Sequence, residues 1–143
     1  MLESSRVIKG EFGSVWKDGQ WLTNFHTAEA SAEITYEEIK RSGTRAIGNK
    51  AGTIKYSGTI SGYKITSELA QSVAQITDDK QGSFVCDLIL KLADPEAYGH
   101  ERVRLKGVQF TKIEIMKFEH GAVVEQEWPF VFDGFEYLDA ISA

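Results

Sequence analysis

The chain has 143 residues, 42% of them hydrophobic and 26% charged, which is the usage of an ordinary folded domain and not of a disordered one. That length suits one independent core, and the lone Cys86 excludes an internal disulfide or a cysteine-based metal cluster. A formal net charge of -5 argues against broad nucleic-acid binding through a basic surface.

No apolar run approaches the roughly eighteen residues that span a bilayer, and the opening MLESSRVIKGEF lacks the apolar centre of a signal peptide. A soluble, cytoplasmic chain with no membrane partner is the expectation. Residues 1–10 or so are expected as a flexible lead-in to a single domain over 1–143.

Beyond that lead-in, most of the chain alternates in period two. In SVWKDGQWL, Asp18-Gly19 is a favoured pair for a tight hairpin because both central residues need positive φ, and a two-residue turn makes Trp16 and Trp21 cross-strand neighbours. In TAEASAEITY, Ala28, Ala30, Ala32, Ile34 and Tyr36 alternate with Glu29, Ser31, Glu33 and Thr35. Alanine and glutamate favour helix, but alternation of this length predicts a strand wet on one face.

A basic, glycine-containing loop is expected over about 37–52, followed by GTIKYSGTISGYKI. There Ile54, Tyr56 and Ile60 face one way and Thr53, Lys55, Ser57, Thr59 and Ser61 the other, with Gly52, Gly58 and Gly62 on the apolar side leaving room for close approach. One helix is predicted over about 67–78, capped by Thr66 or Ser67, with Leu69, Val73 and Ile76 on one stripe. Asp78-Asp79 would oppose the negative end of that helix and stops it.

Strands then return. FVCDLILKL puts Phe84, Cys86, Leu88, Leu90 and Leu92 on one face, and in HERVRLKGVQF the alternation is interrupted at Gly107, as by a bulge. KIEIMKFEHGAVVEQEWPFVF reads as two strands about His120-Gly121, the second carrying Val124, Trp128, Phe130 and Phe132 on its apolar side. The fold class is mainly β, two packed antiparallel sheets in a sandwich or barrel-like domain with one flanking α-helix.

Chemical motifs are sparse. Gly43 and Gly48 have the spacing of a phosphate loop, but Asn49 stands where the lysine belongs, Lys50 is followed by Ala51, and a strand pattern replaces the required helix. His26, His100 and His120 form no metal-binding pair, and His26 and Glu29 would face opposite ways on a strand. No nucleophile elbow occurs. Among paired carboxylates only Glu125 and Glu127 share a strand face, and a solvated surface accounts for them. Buried structural packing accounts equally for Cys86 and for the aromatics Trp16, Trp21, Trp128, Phe130 and Phe132.

The charge distribution is more informative than its total. No acid lies between Glu38 and Glu68, where Lys40, Arg41, Arg45, Lys50, Lys55 and Lys64 carry +6 against -11 for the remaining residues. Such asymmetry suits a basic segment that meets an acidic surface, including one on another copy of the chain.

Taken together, the Asp18-Gly19 hairpin, EEIKRSGTRAIGNKAGTIKYSGTISGYKITS and VEQEWPFVFDGFEYLD resemble the tail tube (tail core) proteins of contractile-tailed phages, of the kind carried by the Bacillus defective prophage PBSX. The resemblance implies a β-sandwich similar to Hcp-type tubes, hexameric rings stacked into a hollow tail tube, and no catalysis or cofactor. It further implies a surrounding sheath, assembly on baseplate and tape-measure proteins, and a place in the virion tail assembled in the host cytoplasm. DNA would pass through the lumen unbound, or the tube would act as a piercing needle.

On that reading Glu29, Ser31, Glu33, Thr53, Lys55, Ser57 and Thr59 face the lumen, with Lys55 neutralised by Glu29 or Glu33. Arg41, Arg45 and Lys50 meet an acidic surface on the next ring. Gln71 and Gln75 on the exposed side of the helix face the sheath. The competing expectation is a small-ligand-binding β-barrel, which shares the period-two pattern.

Overall fold

The computed structural model describes residues 3–96 and 98–141, without the side chain of Phe12. The strands are β1 (Gly13–Lys17), β2 (Gln20–Trp21), β3 (Phe25–Lys40), β4 (Ile47–Tyr63), β5 (Cys86–Leu92), β6 (Glu101–Phe110), β7 (Glu125–Val131) and β8 (Gly134–Asp139). The one α-helix among the described residues, α1, is Glu68–Val73. Short 3-10 turns at Ser4–Arg6 and Gly10–Phe12 lead into β1, a segment expected to be a flexible lead-in.

All pairings are antiparallel, and they form two sheets that share β6. The first sheet runs β2-β1-β5-β6-β8 and the second β6-β7-β4-β3. The strand changes sheets at a bulge, because Cys86 pairs with Val108 but Leu88 with Leu105, leaving one extra residue on β6. Gly107 sits there at φ 66, a conformation that side chains resist, so the sequence places glycine where the strand must bend.

Asp87 pins that corner. Its carboxylate accepts hydrogen bonds from the Arg104 guanidinium (Nε 3.0 Å, Nη2 2.5 Å) and from the Gly107 N–H at 3.2 Å. The Arg104 hydrogen bonds, then the Gly107 N–H, hold the Asp87 carboxyl below the usual carboxylate range. A carboxyl whose pKa is depressed by folding stabilises the fold above its unfolded pKa, and that stabilisation is lost as pH falls through the folded value. Asp87→Ala should therefore cost about 1–2 kcal/mol at neutral pH, moderated by the partial exposure of the pair. Urea titrations repeated across the acid range should show the deficit shrinking as pH drops below the carboxylate range.

The core lies between the sheets. Val15, Ile60, Val73, Cys86, Leu88, Leu105, Val108, Trp128, Phe130 and Phe132 are buried, with Leu69 and Ala70 of α1 packed against them. Gly58 and Gly62 of β4 let their neighbours within the second sheet come close. A Cβ on Gly62 would collide with the Asn24 carbonyl and Phe25 Cα, and one on Gly58 with the Glu29 carbonyl and the Phe130 ring.

The Asp18-Gly19 turn forms as its residues demand. Both have positive φ (48 and 85), Trp16 is the partner of Trp21, and the two rings stack at 5.8 Å.

Two elements depart from expectation. The helix is regular only to Val73 and then tightens into a 3-10 turn, Ala74–Thr77, in which the Thr77 hydroxyl donates to the Ala74 carbonyl at 2.7 Å. Ile76, in that turn, still borders one shallow groove with Val73, Phe84 and Ile113 but is half exposed. Ser67 occupies the cap position without a side-chain capping bond.

The second departure is the stretch before His120-Gly121, where the first of two expected strands is absent. The β6–β7 ladder ends at Phe110↔Phe130. Thr111 N–H still donates to the Pro129 carbonyl at 3.0 Å, but proline has no N–H to return. Further along, the Glu114 carboxylate is buried and held by Lys112 at 2.8 Å, and no backbone pairing to β7 resumes among the described residues.

Candidate functional site

The most unusual feature is the β3–β4 pair. β4 pairs with β7 only from Ser57 to Tyr63, whereas its ladder with β3 continues to Lys40↔Ile47. Beyond Ala32↔Tyr56 the two strands form an arm with no third strand among the described residues, about 30 Å long at the antiparallel rise per residue. An isolated two-stranded ribbon is marginal in water, so an arm of this length calls for a covering partner.

Directly paired residues on an antiparallel ladder project from the same face. The register places Glu29 opposite Thr59, Ser31 opposite Ser57 and Glu33 opposite Lys55. Six of the seven residues assigned to a lumen thus form one polar face, and Thr53 lies in the register shift between Ile34 and Tyr36. The face continues across β7, where Ser57, Thr59 and Ser61 pair with Val131, Pro129 and Glu127. Lys55 stands directly across from Glu33.

The opposite face was expected to be covered, and along the arm it is not. All of β3 after Phe25 is exposed, including Ile34 and Tyr36 on this face, as are Ile47 and Ile54 of β4. At the arm's base this face, through Ala28, Ala30 and Tyr56, looks across an open groove of about 560 Å3 onto Leu90, Val103 and Tyr137. Alternation in the sequence specifies a face and cannot say whether the same molecule supplies its cover.

The basic segment occupies the tip. The connection is only Arg41 to Ala46, shorter than the loop expected over 37–52, because residues on both sides join the ladder. Gly43 makes the turn at φ 80, and the Arg41 side chain lies over Gly48. Arg41, Arg45 and Lys50 are all exposed. Lys50 pairs across the ladder with Glu37, so its charge is partly offset within the arm.

Elsewhere the titratable groups make local structural contacts. His26 lies 3.5 Å from Glu125 and beside the Tyr63 ring, while His100 and Arg102 share Asp139 at 3.1 and 2.5 Å. Arg102 holds the Asp139 carboxyl below its ordinary range, as Lys106 does for Glu136 and Lys112 for Glu114. Among the described residues no group of three or more His, Cys, Asp or Glu is arranged to hold a metal ion. No described helix is long and apolar enough to cross a membrane.

A family model described as phage tail tube protein matches residues 1–139. The chain belongs to the phage tail tube protein family. It is 28% identical over 144 residues to the phage-like element PBSX protein XkdM of Bacillus subtilis (strain 168), covering 99% of this chain and 97% of that relative. Among solved structures, the tube-terminating cap of the anti-feeding prophage superposes with a TM-score of 0.73 at 14% identity, covering 94% of this chain and 92% of that one. A chain from the sheath-tube complex of an extracellular contractile injection system in its extended state gives 0.72 at 14% identity, covering 94% and 93%. These structural likenesses show that the mainly β fold recurs in chains of the anti-feeding prophage cap and of a contractile sheath-tube complex.

The phage tail tube family is one of structural proteins, consistent with a site that is a set of surfaces. Sequence reasoning found the polar face and the basic tip. It missed the open groove and did not say which strand edges stay uncovered, for which the only available signal was apolar alternation in excess of what one small domain can cover.

Proposed function

We propose that the protein assembles into hexameric rings that stack into the hollow inner tube of a contractile tail or tail-like particle. The observation that carries this reading is the polar face running across β3, β4 and β7 beside the unpaired outer edge of β3. A wet sheet with a free edge suits lateral joining into a barrel whose inner wall is that face. Six four-stranded segments at about 4.8 Å per strand give a backbone circumference of about 115 Å and a diameter of about 37 Å before strand tilt widens it, room for a DNA duplex.

Glu29, Ser31, Glu33, Thr53, Lys55, Ser57 and Thr59 line the bore. Acids and hydroxyls, with Lys55 set against Glu33, let a polyanion slide without capture, since tight binding needs many free lysines or arginines on phosphate. The tube serves as a DNA conduit or a piercing needle, within a tail assembled in the host cytoplasm on tape-measure and baseplate proteins. The sheath packs outside, as the sheath-tube likeness supports, and exposed Gln71 is the better contact point. Gln75 is half-buried, its amide donating to the Gly82 carbonyl at 3.1 Å.

The arm carries Arg41, Arg45 and Lys50 to an acidic surface of the next ring, a head-to-tail contact that does not close and so grows a filament. Arg41 and Arg45 contribute more than Lys50, which faces Glu37. Arg45→Glu is expected to leave the subunit folded and to shorten tubes roughly tenfold, because a like charge is placed against an acidic partner. Negative-stain micrographs showing tubes of ordinary length would refute this role for the tip.

A further inference from the structure

The segment Lys112–Phe118 is the part of the structure that neither the core nor the arm explains. Its sequence, KIEIMKF, contains β-branched and aromatic residues, yet no strand forms. Among the described residues, no backbone-to-backbone hydrogen bond outside regular elements involves any of its seven residues. Apart from Ile113, its apolar side chains are strongly exposed: Ile115 at 80%, Met116 at 70% and Phe118 at 69%. A run of unpaired, apolar, β-prone backbone is an aggregation hazard in a lone subunit and is tolerated where a partner covers it.

Its position is informative. It leaves β6 at the β7 side of the second sheet, the opposite end of that sheet from β3. Among the described residues β3 likewise has a single strand neighbour, β4, and presents its outer edge over 16 residues. One molecule therefore offers an unpaired strand edge at one end of the sheet and an unpaired strand-like segment at the other. The charges are complementary. Between Ala28 and Glu38, β3 carries Glu29, Glu33, Glu37 and Glu38 with no base. In the segment, Lys112 is tied to Glu114 at 2.8 Å, which leaves Lys117 as the excess charge.

We propose that Lys112–Phe118 is a strand of the assembled protein only, adding to the free outer edge of β3 in a second copy and so joining the second sheets of successive subunits head to tail. This rests on the ring reading above and names the two surfaces that make the lateral contact. The segment gives its unused N–H and C=O groups to the β3 edge, and exposed Ile115, on the same side of a strand as core-packed Ile113, meets the uncovered face of Ile34 and Tyr36. Such contacts are heterologous, and repeated with a rotation of one-sixth of a turn they close the hexameric ring of the reading above.

Two experiments test the pairing in the full-length protein. Met116→Pro removes one donor from a segment that makes no backbone-to-backbone hydrogen bond among the described residues. It should leave the circular-dichroism spectrum and denaturant midpoint unchanged while abolishing rings and tubes in micrographs. Ile115→Cys combined in turn with Ala30→Cys, Ser31→Cys or Ala32→Cys should, in assembled material under oxidising conditions, give a ladder of covalent multimers on a non-reducing gel for at least one pair. Native Cys86 does not compete, because burial and then nearby Asp18 push its thiol up to about 11. Ordinary tubes from folded Met116→Pro, or tubes with no ladder from any pair, would overturn the pairing while leaving the ring reading intact. Failure of the unaltered protein to form rings or tubes beside its own tail proteins would overturn both.

Discussion

Gly62→Ala should prevent accumulation of folded subunit, although it adds only one methyl group to a strand. Gly62 pairs with Phe25, and a Cβ there meets the Asn24 carbonyl and Phe25 Cα, both backbone atoms that cannot rotate away. The β3–β4 ladder would have to open where it leaves the core, and Tyr63 would lose the Asn24 carbonyl that its N–H now uses at 3.0 Å. We expect destabilisation of at least about 3 kcal/mol, a large share of the roughly 5–15 kcal/mol available to a domain. Gly58→Ala should behave similarly, through the Glu29 carbonyl and the Phe130 ring at 2.7 Å. Gly82→Ala is the control, since nothing lies within 4 Å of the added carbon, and its midpoint should stay within about 0.5 kcal/mol. Soluble yield and urea midpoints for the three variants check this, and a Gly62→Ala protein as stable as Gly82→Ala would contradict the packing described.

Trp128→Ala is expected to cost about 3–5 kcal/mol, the range for emptying an aromatic site in a tight core. Trp128 is fully buried on β7 opposite Ile60, with Phe110 edge-on to it at 5.8 Å, and it sits where β6, β7 and β4 converge. Trp128→Phe should cost less than about 1.5 kcal/mol, because an aromatic ring still fills most of the site. The indole N–H has no hydrogen-bond partner among the described residues, so losing it removes a buried donor already without compensation. Guanidinium unfolding followed by far-ultraviolet circular dichroism would separate the two. Equal losses for both variants would show that the N–H makes a bond that matters.

Local backbone requirements were the most legible part of the chain. Asp18 and Gly19 both take positive φ, Trp16 stacks on Trp21, and Gly107 makes the bulge, because each depends on residues within one turn or one ladder rung. The two faces of β3 and β4 were legible for the same reason. Alternation assigns Glu29, Ser31 and Glu33 to one side, and the register brings Thr59, Ser57 and Lys55 beside them. The helix was placed correctly at its start but overextended in regular form, because the stripe through Ile76 did not reveal the tightening after Val73.

The candidate surfaces were half legible. Arg41, Arg45 and Lys50 stood out by charge, yet nothing in the string placed them at the tip of an arm or set Glu37 opposite Lys50. The stretch KIEIMKF has strand character by composition, and it goes unpaired for a reason that lies on another strand. Pro129 offers Thr111 no N–H in return, an effect that acts only once β6 and β7 lie side by side.

By itself, then, the order of amino acids determined the strands, their two faces, the tight turns and the absence of recognisable catalytic motifs, since each follows from φ preferences and period-two spacing close along the chain. Only the tertiary structure decided which faces the molecule covers for itself. Burial depends on what arrives from distant segments, and here β7 pairs with β4 only from Ser57 to Tyr63, leaving the arm, the β3 edge and Lys112–Phe118 open.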